Sequence, residues 1–408
     1  MTTPPLTLVE HRPSTPVELS IEQRDALRAL VPGLSVTPEP GALNRYVLTC
    51  GSHVGVARVG DLLVELQPKV GLAPVLFLVS YALDPRAWRD EAAPMAGGSL
   101  VEAVVSVFSR AVADALRPGL LHGYRGRDDT LTTIRGRVRF AHQMRRQAGL
   151  PLPVEVSYDD FTTDVLENQL LRTATDVLGR LRLRDSDTRT SLARLHQHLA
   201  GVQTLAVDRN PPEPVWTRLN ARYRPAVALA RLIIASGGLE ARAGQYESSA
   251  FVIDMNQVFE RFIRTALREA LQLDRQRFPS PGNARRTWLD NERRIALEPD
   301  LSWWSKSGCQ FVGDCKYKRP TGSIPNADVY QMLAYLTALR LDDGLLVYAR
   351  DEGLPADVTV EAVVKRVHVR DVDVAQPPAL VLAQVAGIAR LIESLAARRQ
   401  GISADRLR

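Results

Sequence analysis

The sequence predicts a mixed α/β fold in three parts: a small β-rich N-terminal domain over residues 1–95, a mostly helical middle region with a basic hairpin over 96–245, and an α/β domain over 246–408. Three observations predict it. Short runs of alternating apolar and polar residues crowd the segment that ends near Gln67. Apolar residues three and four apart dominate much of 99–236. From Asp254 onward, helical and strand-like runs alternate, as in a sheet covered by helices.

Residues 1–17 are proline-rich and polar and read as an extended entry. Residues 18–31 (ELSIEQRDALRALV) read as an amphipathic helix, with Ser20 as N-cap and Pro32 as the stop. Strand-like runs follow at 45–50, 53–59 and 61–67. Their short connections hold Gly51 and Gly60, which suits two tight hairpins. A long helix is expected over 99–116, ended by Pro118 and Gly119. Residues 120–140 are basic and carry Arg125-Gly126-Arg127 and Arg135-Gly136-Arg137. A strand at 154–161 precedes helices at 163–182 and 187–204. The stretch 208–216 (DRNPPEPVW) is the best linker, because its prolines cannot continue a helix. Another helix covers 223–236.

In the last part, residues 254–272 form a strongly amphipathic helix with Val258, Phe262, Ile263, Ala266 and Leu267 on one face. A basic loop spans 275–294. Runs at 294–304 and 309–317, separated by Ser305-Lys306-Ser307-Gly308, predict a hairpin. A loop with Pro320, Gly322 and Pro325 leads to a helix at 327–340. A strand at 344–349, β signal at 357–370 and a helix at 379–398 complete the chain.

Composition excludes several classes. Hydrophobic residues are 45% and charged residues 24% of the 408, which argues against wholesale disorder and fibrous repeats. The apolar runs 75–83 and 226–235 are shorter than the about 20 residues a bilayer span needs, so no membrane partner is expected. Cys50, Cys309 and Cys315 include no C-x-x-C pair. That leaves no zinc ribbon or disulfide framework and fits a reducing, cytoplasmic setting. The N-terminus is not built as a secretory signal. A net charge of +6 permits a nucleic-acid partner without requiring one. There is no G-x-x-x-x-G-K-[ST] loop, no H-E-x-x-H and no G-x-S-x-G.

The informative segment is Glu298-Pro299-Asp300 followed by Gly313-Asp314-Cys315-Lys316. Adjacent antiparallel strands would bring the carboxylates of Asp300 and Asp314 close together. Such carboxylates repel unless a divalent cation lies between them, and hard oxygen donors suit Mg²⁺ or Mn²⁺. Lys316, two residues past Asp314, projects to the same side of its strand. It could orient a water or neutralise charge developing on a phosphoryl group. Glu260 on the preceding helix could add a carboxylate through metal-bound water. Gln331 and Tyr335, four apart, share a face of the following helix. The other reading of Asp314 and Lys316 is a surface ion pair, and of Asp300 a turn residue.

The order Glu260, Asp300, Asp314-x-Lys316, Gln331-x-x-x-Tyr335 resembles the PD-(D/E)xK nuclease superfamily in its variant with a downstream Q-x-x-x-Y motif. More narrowly, "MNQVFERFI", "PDL", "GDCKYK" and "DVYQMLAY", with "IRGRVRF" and "YDDFTTDVLENQLLR" upstream, resemble the McrC family of McrBC modification-dependent restriction systems. That resemblance implies a C-terminal restriction-endonuclease-like α/β/α domain and Mg²⁺-dependent cleavage of double-stranded, modified DNA. It implies an McrB-like AAA+ GTPase partner, docked through the N-terminal and middle regions, whose hydrolysis the chain stimulates. It implies Asp300 and Asp314 as metal ligands with the Cys315 main-chain carbonyl, Lys316 as catalytic lysine, Glu260 as the helix acid, and Gln331 and Tyr335 as accessory residues. Two other readings are a regulatory adaptor of an AAA+ NTPase with secondary nuclease activity, and a stand-alone RecB-like nuclease. The Cys315 thiol itself reads as core.

Cations flank this segment: Arg275, Arg277, Arg285, Arg286, Arg293 and Arg294 before it, Lys318 and Arg319 after it. They suit phosphate contacts. The two Arg-Gly-Arg segments suit DNA, an acidic or nucleotide-bearing partner surface, or a solvated hairpin. Asp159, Asp160, Asp164 and Glu167 are expected to cap and charge the start of the helix near 163 rather than bind metal.

Overall fold

Ser20 opens the first helix. Its hydroxyl accepts from the Gln23 amide at 3.1 Å, and the Gln23 side chain accepts from the Ser20 amide at 3.0 Å. This reciprocal cap satisfies two otherwise orphaned donors. The computed structural model describes residues 5–83, 85, 100–146, 152–181, 183–206, 211–237, 239–243, 246–281, 287–317, 324–350 and 357–405. In chain order the N-terminal elements are β1 (Leu6–Val9), β2 (Val17–Glu18), α1 (Ile21–Leu30), β3 (Ser35–Pro38), β4 (Arg45–Thr49), β5 (His53–Val59), β6 (Leu62–Gln67) and α2 (Leu72–Leu83). Next come α3 (Leu100–Leu116), β7 (Gly123–Leu131), β8 (Arg137–Val138), α4 (Phe140–Arg146), β9 (Val154–Thr162), α5 (Leu166–Gly179), α6 (Ser186–His198) and α7 (Arg224–Ser236). The last part holds β10 (Leu239–Ala243), β11 (Tyr246–Asp254), α8 (Met255–Ala270), β12 (Thr287–Trp288), β13 (Ala296–Leu297), β14 (Leu301–Ser305), β15 (Gly308–Lys316), α9 (Asn326–Ala338), β16 (Asp343–Ala349), β17 (Asp357–Val360), β18 (Lys365–Val372) and α10 (Pro378–Asp405).

Two compact units result: residues 1–100 with 239–408, and residues 101–238. In the first, the N- and C-terminal segments share a sheet of order β1-β6-β5-β11-β10. β11 runs antiparallel to β5 over seven paired positions, from Ser248↔Val59 to Asp254↔His53. Ala250 and Val252 join Leu8, Leu27, Leu30, Val59, Val64 and Leu66 in one core. Burying each large aliphatic side chain there contributes about 1.5–3 kcal/mol. Gly55 in β5, at φ 148°, lies so near β11 that a Cβ would sit 2.0 Å from the Phe251 carbonyl oxygen.

Of the two expected hairpins, β5–β6 forms around Gly60, at φ 57°. The β4–β5 hairpin does not. β4 pairs with β2 and β3 in a separate sheet, and the chain changes sheets at Cys50-Gly51-Ser52. Period-2 patterning shows that a strand has a buried face but not which strand it pairs with. Tyr46, Leu48 and Cys50 still reach the common core.

The second sheet of this unit has the order β14-β15-β16-β18-β17. β15, β16 and β18 are parallel, with β14 and β17 antiparallel at the edges. α9 packs over Val312, Leu346, Tyr348, Val367 and Val369. α8 and α10 also pack on this sheet and on each other. The strand expected at 294–304 is broken at Glu298-Pro299-Asp300: residues 296–297 pair with β12, and β14 starts at Leu301. Pro299 has no N–H to continue a ladder.

Residues 378–399 of α10 are long and apolar enough to cross a bilayer, with 39% of that span buried. The helix expected at 379–398 forms here, and Arg390 and Glu393 fall within it. Val381, Val385, Ile388, Ile392 and Leu395 form a buried stripe at helical spacing, which identifies it as a core helix against α8, β15 and β18.

In the second unit, α5 packs against α6 and α7. The basic hairpin is not a hairpin. β7 and β8 both pair with β9, which runs between them. Gly136, at φ 70°, permits the close approach; a Cβ there would lie 2.5 Å from the Ser157 carbonyl oxygen. The linker expected at 208–216 falls partly outside the described residues, at 207–210.

Candidate active site

β14 and β15 form the antiparallel pair expected for the acidic segment, with Leu301 opposite Gly313. One step further along, Asp300 comes opposite Asp314. The Cys315 amide donates to Asp300 Oδ2 at 2.9 Å, and the Asp314 charge acts on the Asp300 carboxyl. Asp314 is 1% exposed. Burial, then Asp314, then Glu260 push Asp300 up to about 8. Burial also raises Asp314, against the pull of Lys316. Two carboxylates this close in a water-poor place do not both ionise readily.

Lys316 ion-pairs with Asp314 Oδ2. Its Nζ also donates to Gln331 Oε1 at 2.9 Å. Gln331 Nε2 donates to Tyr335 Oη at 2.8 Å, and the Tyr335 hydroxyl donates to the Glu298 carbonyl at 3.2 Å. The chain of bonds thus returns from α9 to the peptide two residues before Asp300. Burial lowers the Lys316 pKa, but Asp314, then Asp300 and Asp328, outweigh it and the net shift is upward. The ammonium stays charged. Tyr335 is raised, by burial first and then by Asp314, so it stays a phenol.

Glu260 stands apart from the aspartate pair in its bonding. Its carboxylate is paired with Arg264 one turn along α8, and Arg264 Nε donates to the Asp300 carbonyl at 2.9 Å. Arg264, 5% exposed, is the site residue that sequence reasoning missed. Its signal was the i, i+4 spacing from Glu260. Asp328 is a second such residue. Buried in the first turn of α9, it accepts from Tyr348 Oη at 2.7 Å. Tyr348 stands opposite Lys316 in the β15–β16 ladder.

The Cys315 thiol is buried. Its pKa is well above the usual range, through burial and then the Asp300, Asp314 and Glu260 charges. Among the described residues, no group of three or more His, Cys, Asp and Glu side chains is arranged to hold a metal ion. The oxygens here that could hold a hard divalent cation are those of the two aspartates together with main-chain oxygen. A cation would offset both the burial and the carboxylate repulsion that raise Asp300.

Arg277 lies over the Trp303 ring at 5.8 Å, and Arg294 pairs with Asp290 and Glu292. Arg285, Arg286, Lys318 and Arg319 lie outside the described residues. On the other unit, one arginine of each Arg-Gly-Arg segment is tied to an acid expected at the start of α5, while Arg127 pairs with Asp129. Arg125 pairs with Asp164, and Arg135 with Asp160 at 2.8 Å while lying over the Tyr158 ring at 4.1 Å. Asp164 also accepts from Gln169 and the Gln203 amide. The expected side-chain capping of α5 does not occur: Val165 is its N-cap, without a side-chain bond. Cross-strand arginines and tertiary amides compete successfully for these carboxylates.

The sequence of residues 48–349 matches the family model described as McrBC 5-methylcytosine restriction system component. The chain belongs to this family. Within it, the chain is 21% identical over 315 residues to the Escherichia coli K12 "Type IV methyl-directed restriction enzyme EcoKMcrBC", covering 69% of this chain and 86% of that protein. The fold is similar to one solved in a half-complex from a tetradecameric assembly of Thermococcus gammatolerans McrB AAA+ hexamers with bound McrC. That match has a TM-score of 0.55 and 17% identity, over 95% of this chain and 100% of the other. The McrBC restriction component thus has a mixed α/β fold of the McrC kind.

Proposed function

We propose that this McrBC-type component is the DNA-cleaving subunit of its system, a PD-(D/E)xK endonuclease that hydrolyses phosphodiesters of modified double-stranded DNA. The observation that carries the reading is the placement of Lys316. It bonds Asp314 on its own strand and Gln331 on α9, beside the Asp300 carboxyl. Asp300, Asp314 and the Cys315 carbonyl would hold Mg²⁺ or Mn²⁺, with Glu260 through water. When bound, the ion supplies Lewis acidity toward a phosphoryl oxygen and a water. Lys316 then places a permanent positive charge beside the scissile phosphate and can hold an attacking water by hydrogen bond. Gln331 and Tyr335 fix the lysine's direction, and Arg264 fixes the Asp300 backbone.

The T. gammatolerans McrB AAA+ hexamers with bound McrC support an McrB-like AAA+ partner. On this proposal the partner is a GTPase that docks on the N-terminal and middle regions and is stimulated by this chain. A cytoplasmic setting fits three free, buried cysteines.

The test is cleavage of methylated and unmethylated plasmid by the full chain with Mg²⁺, with and without the AAA+ partner plus GTP, beside Lys316→Ala. Cleavage of methylated plasmid that needs partner and GTP, and is lost in the variant, is expected. Cleavage that survives Lys316→Ala would sink the site. Lysine-dependent cleavage without partner or GTP would replace the subunit reading with a stand-alone nuclease.

A further inference from the structure

β15 ends at Lys316, where the ladder with β16 makes its last pair, Lys316↔Tyr348. The next carbonyl, that of Tyr317, lies beyond the last pair of this ladder and accepts a hydrogen bond. The donor comes from the N-terminal segment. Lys69 Nζ donates to the Tyr317 carbonyl at 3.1 Å and lies 4.2 Å from the centroid of the Tyr317 ring. Glu10, 1% exposed, joins the two: its Oε2 accepts from the Lys69 amide at 2.9 Å and from the Tyr317 hydroxyl at 3.2 Å. Glu10 and Lys69 sit just past the paired ends of β1 and β6, where Val9 stands opposite Gln67. The Tyr317 ring, 1% exposed, packs against Phe259, the neighbour of Glu260 on α8.

We propose that Lys69 and Glu10 are positioning residues for the cleavage site: they clamp the Tyr317 peptide and thereby hold Lys316 in register with Asp314 and Gln331. This rests on the nuclease reading above and deepens it, because the site is then completed by the first 70 residues of the chain. Neither residue touches the reacting atoms. The clamp acts through the one backbone unit that follows the lysine. A strand end held on one side only frays, and an error of about 1 Å in a reacting group can cost on the order of 100-fold in rate.

The experiment uses the full chain as wild type, Lys69→Met, Lys69→Arg and Tyr317→Phe. Two readouts are taken: deuterium uptake of the peptide covering 310–317, and kcat and KM for plasmid cleavage with Mg²⁺, AAA+ partner and GTP. Lys69→Met should raise exchange in that peptide about tenfold or more, and lower kcat about 10- to 100-fold with KM nearly unchanged. Lys69→Arg, which keeps a cation on the carbonyl, should restore both in large part. Should Lys69→Met fail to fold, Tyr317→Phe deletes only the hydroxyl that reaches Glu10 and should still raise local exchange severalfold. Exchange over 310–317 equal to wild type in the folded variants would overturn the clamp. Loss through KM alone, or exchange raised equally everywhere, would also overturn it. If wild type cleaves nothing, the nuclease reading falls and the exchange data still decide the clamp.

Discussion

The Lys316 ammonium donates to the Gln331 side-chain oxygen at 2.9 Å, and this bond settles which way the amide faces. Lysine can only donate, so Gln331 presents oxygen to it and nitrogen to the Tyr335 hydroxyl. Turning the amide over would set its NH₂ against the ammonium and lose that bond, and the Tyr335 hydroxyl would have to leave the Glu298 carbonyl to donate to the amide oxygen. The Gln331-x-x-x-Tyr335 spacing therefore acts on the lysine rather than on the aspartates.

Breaking that relay should have graded effects. Lys316→Ala is expected to abolish cleavage. Gln331→Leu should lower kcat by about 10- to 100-fold, because it removes the bond to the charged Lys316, worth about 1.5–3 kcal/mol, along with the bond to Tyr335. Tyr335→Phe should cost less, since the two bonds it removes, to Gln331 and to the Glu298 carbonyl, join neutral groups. Steady-state kinetics on the three variants check the order. Tyr335→Phe costing as much as Lys316→Ala would argue that the phenol itself takes part in the chemistry.

Asp314→Ala should remove cleavage yet leave DNA binding and partner GTPase stimulation almost intact. Gel-shift and GTPase assays on the variant report this directly. Loss of folding instead would favour a structural ion pair between Asp314 and Lys316.

Stability should depend on pH through Asp300. Its folded value, about 8, lies above its ordinary 3.8. Between those values the folded state holds a proton that the unfolded state releases, so stability is full at low pH and falls as pH rises. In EDTA the melting temperature should drop between about pH 5 and pH 8, and Asp300→Asn should flatten the slope. Added Mg²⁺ should raise the melting temperature more at the higher pH, because it stabilises the ionised pair. Thermal melts across this range test all three statements.

Arg264 should matter more for folding than its place on a helix surface pattern suggests. Removing it leaves Glu260 unpaired and the Asp300 carbonyl without its donor. Arg264→Met should destabilise the protein by about 3 kcal/mol. Adding Glu260→Gln should recover part of that loss. A double-mutant cycle from urea melts measures the coupling.

A fragment of residues 239–408 should not fold by itself. β11 would lose its seven-position partnership with β5, and Ala250 and Val252 would lose their core. Circular dichroism and cooperative melting of the fragment check this. For the same reason, deleting residues 1–90 should also unfold the part that remains in this unit.

Much was written in the order of residues. The helix cap at Ser20, the amphipathic face of α8, the turn at 305–308 and the approach of Asp300, just before β14, to Asp314 and Lys316 on β15 all follow from local patterns. Local patterns suffice there because caps, helix faces and tight hairpins join residues only a few positions apart, where one periodicity and one turn fix the geometry. The tertiary structure alone decided which strands pair across long separations. β4 left its neighbour for another sheet, β11 closed onto β5, and β7 and β8 took β9 instead of each other. It also decided how charges are spent. Arg264 engaged Glu260, Asp160 and Asp164 went to arginines rather than helix ends, and Glu10 reached Tyr317 across 307 positions of chain. A strand's alternation records only that one face is buried, and a charge records only that it must find a partner or water. Which partner it finds is fixed by the packing of the whole chain.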